Sequence, residues 1–366
     1  MNYQKKSHLI KPDQIILGEG DEPIVSLLKG EPIKNDYYHL PNLKNLPYPD
    51  YSDLNLTEYN MDHEFPELRI TGSRGCVRNC TFCNVNTFWP TYQYRPGKDI
   101  AGEMIHLNQK YGVASFEFTD SLINGSIRAL NEMCKEIKQA RKGKDIAWTW
   151  HGNAICRSAK QMPEEVWANM KDAGVSYWRI GVESGSESVR EHMGKKSSIE
   201  DVHHTFSIAA KYDIPIAFNM LVGYPTETDE DFEDSMSLLR YIAELNKTIP
   251  DESKHVLAGV FSCLLFDGTP LVEMDEIMDT INFGHNEYIP APQMGSGAGY
   301  GLRDNEESIL TNLHWEIKDH PEGLPYNAAI RLDRMASLTN LGTDLKLIIP
   351  NEEADYRKLP RYYANW

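Results

Sequence analysis

Three cysteines lie close together in one short segment of the sequence. Cys76, Cys80 and Cys83 follow the spacing C-x3-C-x2-C, in a segment that Gly72 and Gly75 open. Three thiolates at this spacing can bind three irons of a four-iron cluster, with one thiolate on each iron. The fourth iron then has no protein ligand and can bind a substrate or a cofactor. The spacing therefore predicts a reactive iron–sulfur cluster.

A zinc site and simple packing are the alternatives for this segment. Structural zinc normally takes four protein ligands. His63 or His106 could supply the fourth, but neither lies at a usual zinc-finger spacing. Six cysteines in 366 residues are too few for a disulfide scaffold. We expect the other three to be packed or near strand ends, with a radical-relaying thiol as the alternative: Cys134, Cys156 and Cys263.

Six strand-and-helix units must position the cysteine segment. Short apolar runs rich in β-branched and aromatic residues begin at Leu68, Ala114, Ile146, Tyr177, Ile216 and Val256. Amphipathic helical patterns fill the gaps, and Thr228 to Asp231 predicts one helix start. This alternation predicts an α/β fold with a parallel sheet and right-handed crossovers. Six units suit a partial TIM-like (β/α)6 barrel with its functional loops at the carboxyl ends of the strands. A doubly wound open sheet is the alternative.

Two flanking regions surround the predicted barrel of residues 67–270. Residues 1–66 predict a short N-terminal extension, with one strand and one helix between 14 and 28 followed by a linker. Residues 271–366 predict a mixed, mainly helical C-terminal extension that shapes substrate choice. Helical patterns occur there at 306–318 and 328–338. The glycine-rich segment 294–301 predicts a lid over the barrel mouth, with an ordinary connector as the alternative.

The charge balance limits the classes of partner. With 37 basic and 54 acidic residues the net charge is −17, which argues against binding to nucleic acid or to anionic membranes. The longest apolar run, 256–266, is too short to span a bilayer. The N-terminal residues lead into no apolar stretch of the kind that a secretory signal needs. We expect a cytoplasmic protein that binds neither membrane nor nucleic acid.

The cysteine motif, with the aromatic Phe82 directly before Cys83, resembles the signature of the radical S-adenosylmethionine (SAM) superfamily. The resemblance covers residues 67–270 and implies the same partial (β/α)6 barrel. It implies a [4Fe–4S] cluster and SAM as cofactors, with Phe82 next to them. It also implies reductive cleavage of SAM to a 5′-deoxyadenosyl radical, with an electron donor such as flavodoxin or ferredoxin.

The resemblance extends to SAM contacts at later strand ends. It implies that Asp120 accepts a hydrogen bond from the methionine amine, with a helix or turn cap as the alternative. Glu183 and Ser184 resemble the segment that contacts the ribose, with an N-cap of the helix near Glu187 as the alternative for Ser184. Gly223 resembles the glycine that lets adenine approach the backbone.

Three further polar residues near the predicted strands have less specific patterns. Arg95 and Arg157 could each meet a carboxylate of a ligand, and surface or structural ion pairing is the default for both. His151 is expected to be a hydrogen-bonded residue of the barrel, with a general acid as the alternative.

Several segments narrow the resemblance to the cobalamin-binding-domain branch of the superfamily: 15–23, 46–49, 192–195 and 223–228. No Asp-x-His-x-x-Gly motif for a cobalt ligand occurs in the sequence. We therefore expect a truncated or split member, and cobalamin is not expected within this chain alone. Either cobalamin has been lost, or a separate cobalamin-domain polypeptide completes the fold.

The main functional hypothesis is thus a radical SAM enzyme acting on an unidentified substrate, by methyl or other group transfer. Two alternatives remain open at this point. One is a non-catalytic iron–sulfur protein for electron transfer or scaffolding, and the other is a zinc-stabilised binding module.

Overall fold

The computed structural model describes ten ranges of the chain, and the account below is limited to them: 14–33, 37–44, 46–58, 67–142, 148–252, 255–263, 265, 268–283, 315–317 and 346–348. These residues belong to two compact units, Met1–Pro47 and Tyr48–Trp366, which are described separately. The predicted lid at 294–301 and the predicted helix at 328–338 lie outside the described residues.

The first unit contains one strand–helix–strand motif. Strand β1 (Leu17–Gly18) is followed by helix α1 (Asp21–Leu28) and strand β2 (Tyr37–Tyr38), and the two strands pair in parallel. The strand and helix predicted between 14 and 28 are confirmed. The second strand lies in the segment that was predicted to be a linker.

The second unit contains the remaining elements. Its strands are β3 (Glu67–Ile70), β4 (Ser73–Arg74), β5 (Gln93–Tyr94), β6 (Ser115–Phe118), β7 (Thr149–Ala154), β8 (Val175–Glu183), β9 (Ile216–Val222), β10 (Leu257–Ser262), β11 (Ile281–Phe283), β12 (Trp315–Ile317) and β13 (Lys346–Ile348). Its α-helices are α2 (Val85–Phe88), α3 (Gly97–Tyr111), α4 (Ile127–Arg141), α5 (Glu164–Ala173), α6 (Glu187–His192), α7 (Ile199–Lys211), α8 (Asp229–Asn246) and α9 (Asp275–Met278). Short 3-10 turns cover Leu56–Glu58, Ile123–Gly125 and Pro270–Glu273.

The main sheet is parallel and follows the order of the chain. Its strand order is β3-β6-β7-β8-β9-β10-β13, so the six predicted strands lie side by side in sequence. A doubly wound sheet would reverse direction at a switch point, and this order does not. The predicted α/β fold is confirmed, and a seventh strand comes from residues 346–348.

The two faces of the sheet differ in polarity. One face carries large apolar residues that pack under the helices, including the fully buried Phe116, Phe118, Trp150, Trp178 and Phe218. The alternate positions form a polar row across neighbouring strands: Arg69, Glu117, His151 and Tyr177. Because successive residues of a strand point to opposite faces, this pattern puts the apolar core on one face of the sheet and a polar row on the other.

Side-chain caps define several helix ends. The helix start predicted at Thr228 is confirmed, because Thr228 and Asp231 form a capping box at the start of α8. Ser198 and Asp201 form a second capping box before α7.

No helix among the described residues is both long and apolar enough to cross a lipid bilayer.

One predicted helix is wrong where the structure describes it. Within 306–318, residues Trp315–Ile317 form strand β12, which pairs antiparallel with β11. Both three-residue segments alternate apolar, polar and apolar side chains, and Ile and the aromatic residues favour strands. Pairing between distant segments therefore outweighs the local helical pattern.

Candidate active site

The cysteine loop, residues 75–84, lies between β4 and α2 and follows the first strand of the main sheet. Cys76, Cys80 and Cys83 are all half-buried free thiols. Burial raises the pKa of each thiol, and the nearby charge of Lys195 opposes this effect in all three. Among the described residues, no group of three or more His, Cys, Asp and Glu side chains is arranged to hold a single metal ion.

One side of the loop is fixed to strands β3 and β6. Asp120, two residues after β6, is buried, and its carboxylate accepts hydrogen bonds from the backbone N–H of Gly72 (2.8 Å) and from Ser73 Oγ (2.5 Å). Gly75 has a φ of +80°, and a Cβ there would lie 2.7 Å from the carbonyl oxygen of Thr91. Only glycine fits this approach without strain, so the loop enters the site in one defined conformation.

Desolvation has a marked effect on Asp120. Burial raises its pKa to about 6, although the hydrogen bonds from Ser73 and Gly72 act in the opposite direction. Both oxygens hold the entrance of the cysteine loop, which is a turn-capping arrangement. The predicted contact with a SAM amine stays a prediction.

The other side of the loop is fixed through Thr81. Its backbone N–H donates to the carbonyl of Met193 (3.1 Å), and its own carbonyl accepts from the N–H of Leu271 (2.8 Å). Its hydroxyl lies 2.8 Å from the hydroxyl of Tyr224, which is itself 2.7 Å from His192 Nδ1. Three segments that are distant in sequence therefore meet between Cys80 and Cys83.

Phe82 and Glu183 come together around Lys195. The Nζ of Lys195 lies 2.9 Å from Glu183 Oε1, 3.0 Å from the carbonyl oxygen of Gly181 and 5.4 Å from the centre of the Phe82 ring. Glu183 ends β8 with a φ of +73°, at an irregularity in its pairing with β9. A side-chain residue in the left-handed region is uncommon and marks places where surrounding contacts hold the backbone.

Ser184 and Gly223 lie at the carboxyl ends of β8 and β9. Ser184 is fully buried, and its Oγ accepts from the N–H of Ser186 (3.1 Å) and lies 3.3 Å from Ser235 Oγ. The alternative in which Ser184 caps α6 is wrong, because Ser186 is the N-cap. Gly223 has a φ of +72°, and its N–H donates to Glu227 Oε2 (2.7 Å). The predicted ribose and adenine contacts stay predictions.

The other candidates take structural positions. Arg95 forms a buried ion pair with Glu103, and His151 Nε2 lies 3.1 Å from Glu67 Oε1, as expected for a hydrogen-bonded barrel residue. Arg157 donates to the carbonyl oxygens of residues 124 and 125. The three remaining cysteines are all buried.

Sequence reasoning missed the roles of Lys195 and Arg190. Arg190 is 1% exposed and donates to the carbonyls of Val182 and Ser184 on one side and to Ser197 on the other. It thus holds the segment that leaves β8. Lys195 lies in a segment that had been noted only as a feature of the branch. The sequence signal that could have indicated its pairing with Glu183 was a basic residue twelve positions after that glutamate.

Comparison with known proteins finds a family model that matches the middle segment of the chain. Residues 70–239 match the model of the Radical SAM superfamily, and the match includes the cysteine loop and strands β6 to β9. This segment is a radical SAM domain. Such domains bind a [4Fe–4S] cluster and SAM, and a [4Fe–4S] cluster takes one thiolate per iron. The loop carries three thiols at the carboxyl end of the first strand of the sheet, with Lys195 beside it. It can therefore supply one thiolate to each of three irons.

Relatives of the radical SAM domain include several methyltransferases. The chain is 25% identical over 249 residues to an uncharacterised methyltransferase of Pyrococcus horikoshii, covering 62% of this chain and 52% of the relative. It is 24% identical over 256 residues to the cytidylyl-2-hydroxyethylphosphonate methyltransferase of Streptomyces wedmorensis, covering 66% and 44%. The chain thus spans about half the length of these relatives.

Solved structures show the same fold. The radical SAM methyltransferase TsrM from Kitasatospora setae has a TM-score of 0.50 and 19% identity, covering 61% of this chain and 43% of that protein. The apo form of the cobalamin-dependent SAM radical enzyme OxsB has a TM-score of 0.54 and 16% identity, covering 71% and 44%. At these identities, the likeness concerns the fold alone.

Proposed function

We propose that this protein is a radical SAM enzyme in which Cys76, Cys80 and Cys83 bind a [4Fe–4S] cluster. The observation that carries this proposal is the position of the three thiols. They lie in one loop, fixed from two sides, at the carboxyl ends of the parallel strands of a radical SAM domain. When bound, the cluster supplies one electron to SAM, which is cleaved to methionine and a 5′-deoxyadenosyl radical.

The residues of this chain bind and orient the reactants. Phe82 lies inside the cysteine loop and packs against a buried apolar cluster that includes Tyr224 and Leu271. This packing shields one side of the loop from water, which protects a radical from side reactions. We propose that four residues at or just beyond the carboxyl ends of β6, β8 and β9 border bound SAM: Asp120, Glu183, Ser184 and Gly223. The polar face of the main sheet offers hydrogen-bonding groups to the substrate.

We further propose that the reaction is a methyl or other group transfer. Support comes from the relatives, two of which are named as methyltransferases. The electron donor is proposed to be a flavodoxin or ferredoxin, since a single electron at low potential must reach the cluster.

Anaerobic reconstitution with iron and sulfide tests the proposed function. We expect about four irons per chain and formation of 5′-deoxyadenosine from SAM and a reductant. Cys80→Ala should remove both, whereas Cys134→Ala, at a buried site on α4, should keep both. A cluster without 5′-deoxyadenosine would indicate an electron-transfer protein, and zinc alone would indicate a binding module. Cleavage of SAM by Cys80→Ala would refute the assignment.

A partner for the first unit is also proposed. This strand–helix–strand unit exposes apolar side chains that a folded sheet would normally cover: Ile15, Leu17, Ile24, Val25, Leu28 and Tyr37. A large exposed apolar surface marks an interaction site. We propose that a cobalamin-domain polypeptide adds further strands here. Co-expression with such a domain should yield a complex with corrinoid absorbance on size exclusion, and Leu28→Glu should dissociate it. A monomer without corrinoid in the co-expression would contradict the proposal.

A further inference from the structure

We propose that the buried ion pair of Lys195 and Glu183 sets the reduction potential of the cluster that the cysteine loop binds. The inference rests on the proposed function, since it requires the cluster to be present. Lys195 acts on the cluster through its charge and does not bind iron. Two opposite charges lie beside the cysteine loop, and their balance sets the potential.

The position of Lys195 is fixed by the backbone around it. The carbonyl of Met193 accepts a hydrogen bond from the N–H of Thr81 (3.1 Å), so residues 193 to 195 run beside the middle of the cysteine loop. Gly194 has a φ of +73°, and a Cβ there would lie 2.9 Å from the carbonyl oxygen of Asn79 and 3.7 Å from Cys80 Cα. Glycine therefore lets this segment approach the loop at the residue before Lys195.

The ammonium group itself is buried between the loop and β8. Lys195 is 8% exposed, and its Nζ lies 5.4 Å from the centre of the Phe82 ring and 2.9 Å from Glu183 Oε1. Any residue other than glycine at position 181 would clash with the pair. A Cβ there would lie 2.2 Å from Glu183 Oε1 and 3.1 Å from Lys195 Nζ. The chain thus provides a dedicated space for two charges at the cluster site.

Electrostatics gives each charge an opposite effect. Reduction adds one negative charge to a cluster, so a nearby cation stabilises the reduced form and a nearby anion destabilises it. Both charges lie beside the cysteine loop, because Lys195 Nζ faces the ring of Phe82, the residue directly before Cys83, and Glu183 is its ion-pair partner. A low-dielectric site strengthens both effects relative to the surface. Neutralising one partner should therefore shift the potential, and neutralising both should largely restore it.

The test uses the full chain with its reconstituted cluster, without SAM, and follows reduction by EPR against solution potential. It compares wild type with Glu183→Gln, Lys195→Met, the double variant and the charge-preserving control Lys195→Arg. Glutamine keeps an acceptor for Lys195 and has nearly the shape of glutamate.

We expect shifts of opposite sign. At the wild-type midpoint, the ratio of reduced to oxidised cluster should rise about tenfold in Glu183→Gln and fall about tenfold in Lys195→Met, or about 59 mV each way for one electron. The double variant and Lys195→Arg should stay near wild type. A purely structural role would lower iron content in both single variants without opposite shifts, and this result would overturn the inference.

Two further outcomes separate the inference from the proposed function. If Lys195→Met binds no cluster, the shift in Glu183→Gln alone decides, and an unchanged or lower potential there overturns the inference. If the wild-type chain assembles no cluster, the proposed function fails, and the inference fails with it. A wild-type cluster that cleaves SAM but shows no shift in the variants refutes only the role of the ion pair.

Discussion

The buried carboxyl of Asp120 should make the stability of the protein depend on pH. Asp120 is 2% exposed and its pKa is raised by burial from 3.8 to about 6. Between these two values the folded state binds more protons than the unfolded state. Stability therefore falls as pH rises through this window, because ionisation in the fold costs more than ionisation in the unfolded chain.

The size of the effect follows from the shift. A change of one pKa unit corresponds to about 1.4 kcal/mol, so the full effect is about 3 kcal/mol. Between pH 4.5 and pH 7.5 the expected loss is about 2 kcal/mol, since part of the window lies below pH 4.5. Asp120→Asn removes the titration. The difference in unfolding free energy between wild type and Asp120→Asn should therefore change by about 2 kcal/mol over this range.

Urea unfolding of the cluster-free chain, followed by tryptophan fluorescence, measures this difference. A matched control is Asp53→Asn, which makes the same substitution at an exposed position. Other carboxyl groups titrate equally in wild type and in both variants, so they cancel. A difference in unfolding free energy between wild type and Asp120→Asn that does not change with pH would refute the reasoning. A wild type that becomes more stable relative to this variant as pH rises would refute it as well.

Three other predictions follow from packing and burial. Gly97→Ala should lower stability by about 1–3 kcal/mol in thermal unfolding, because the new Cβ would lie 2.1 Å from the carbonyl oxygen of Ala129; Lys98→Ala, at the exposed next position, should change little. Arg190→Lys should cost about 3 kcal/mol, since one ammonium cannot reach both groups of carbonyls, and a thermal midpoint equal to wild type would contradict this. In the cluster-free native chain an alkylating reagent should modify three thiols, and all six only after unfolding, as mass spectrometry can count.

The sheet and the cysteine loop were predictable because their signals are local. All six predicted strands are found, since runs of β-branched and aromatic residues such as 216–222 are too short for buried helices and too apolar for loops. The capping box at Thr228 involves residues only three positions apart. Where the decisive contact was distant, prediction failed. Trp315–Ile317 forms a strand because of a partner more than thirty residues away.

Of the candidate site, only the segment that carries the three cysteines was predictable. The three cysteines share one segment, whereas the partners of the residues between them are far away in sequence. Nothing near Thr81 in the sequence indicates that Tyr224 and Leu271 bind it, because their approach depends on the crossovers of the sheet. The pairing of Lys195 with Glu183 likewise depends on α6 turning the chain back toward β8.

The cysteine loop connects the first strands of the sheet to the last ones, and this has a consequence for how a cluster would be held. Asp120 fixes the loop entrance to β3 and β6, while Thr81 is bonded to Met193 and Leu271, which follow α6 and β10. The spacing of the three thiols therefore depends on the position of both halves of the sheet at once. Substitutions that move either attachment should weaken iron binding although they touch no ligand. Loss of iron in such variants would therefore report a change in geometry, whereas opposite shifts in potential report a charge effect.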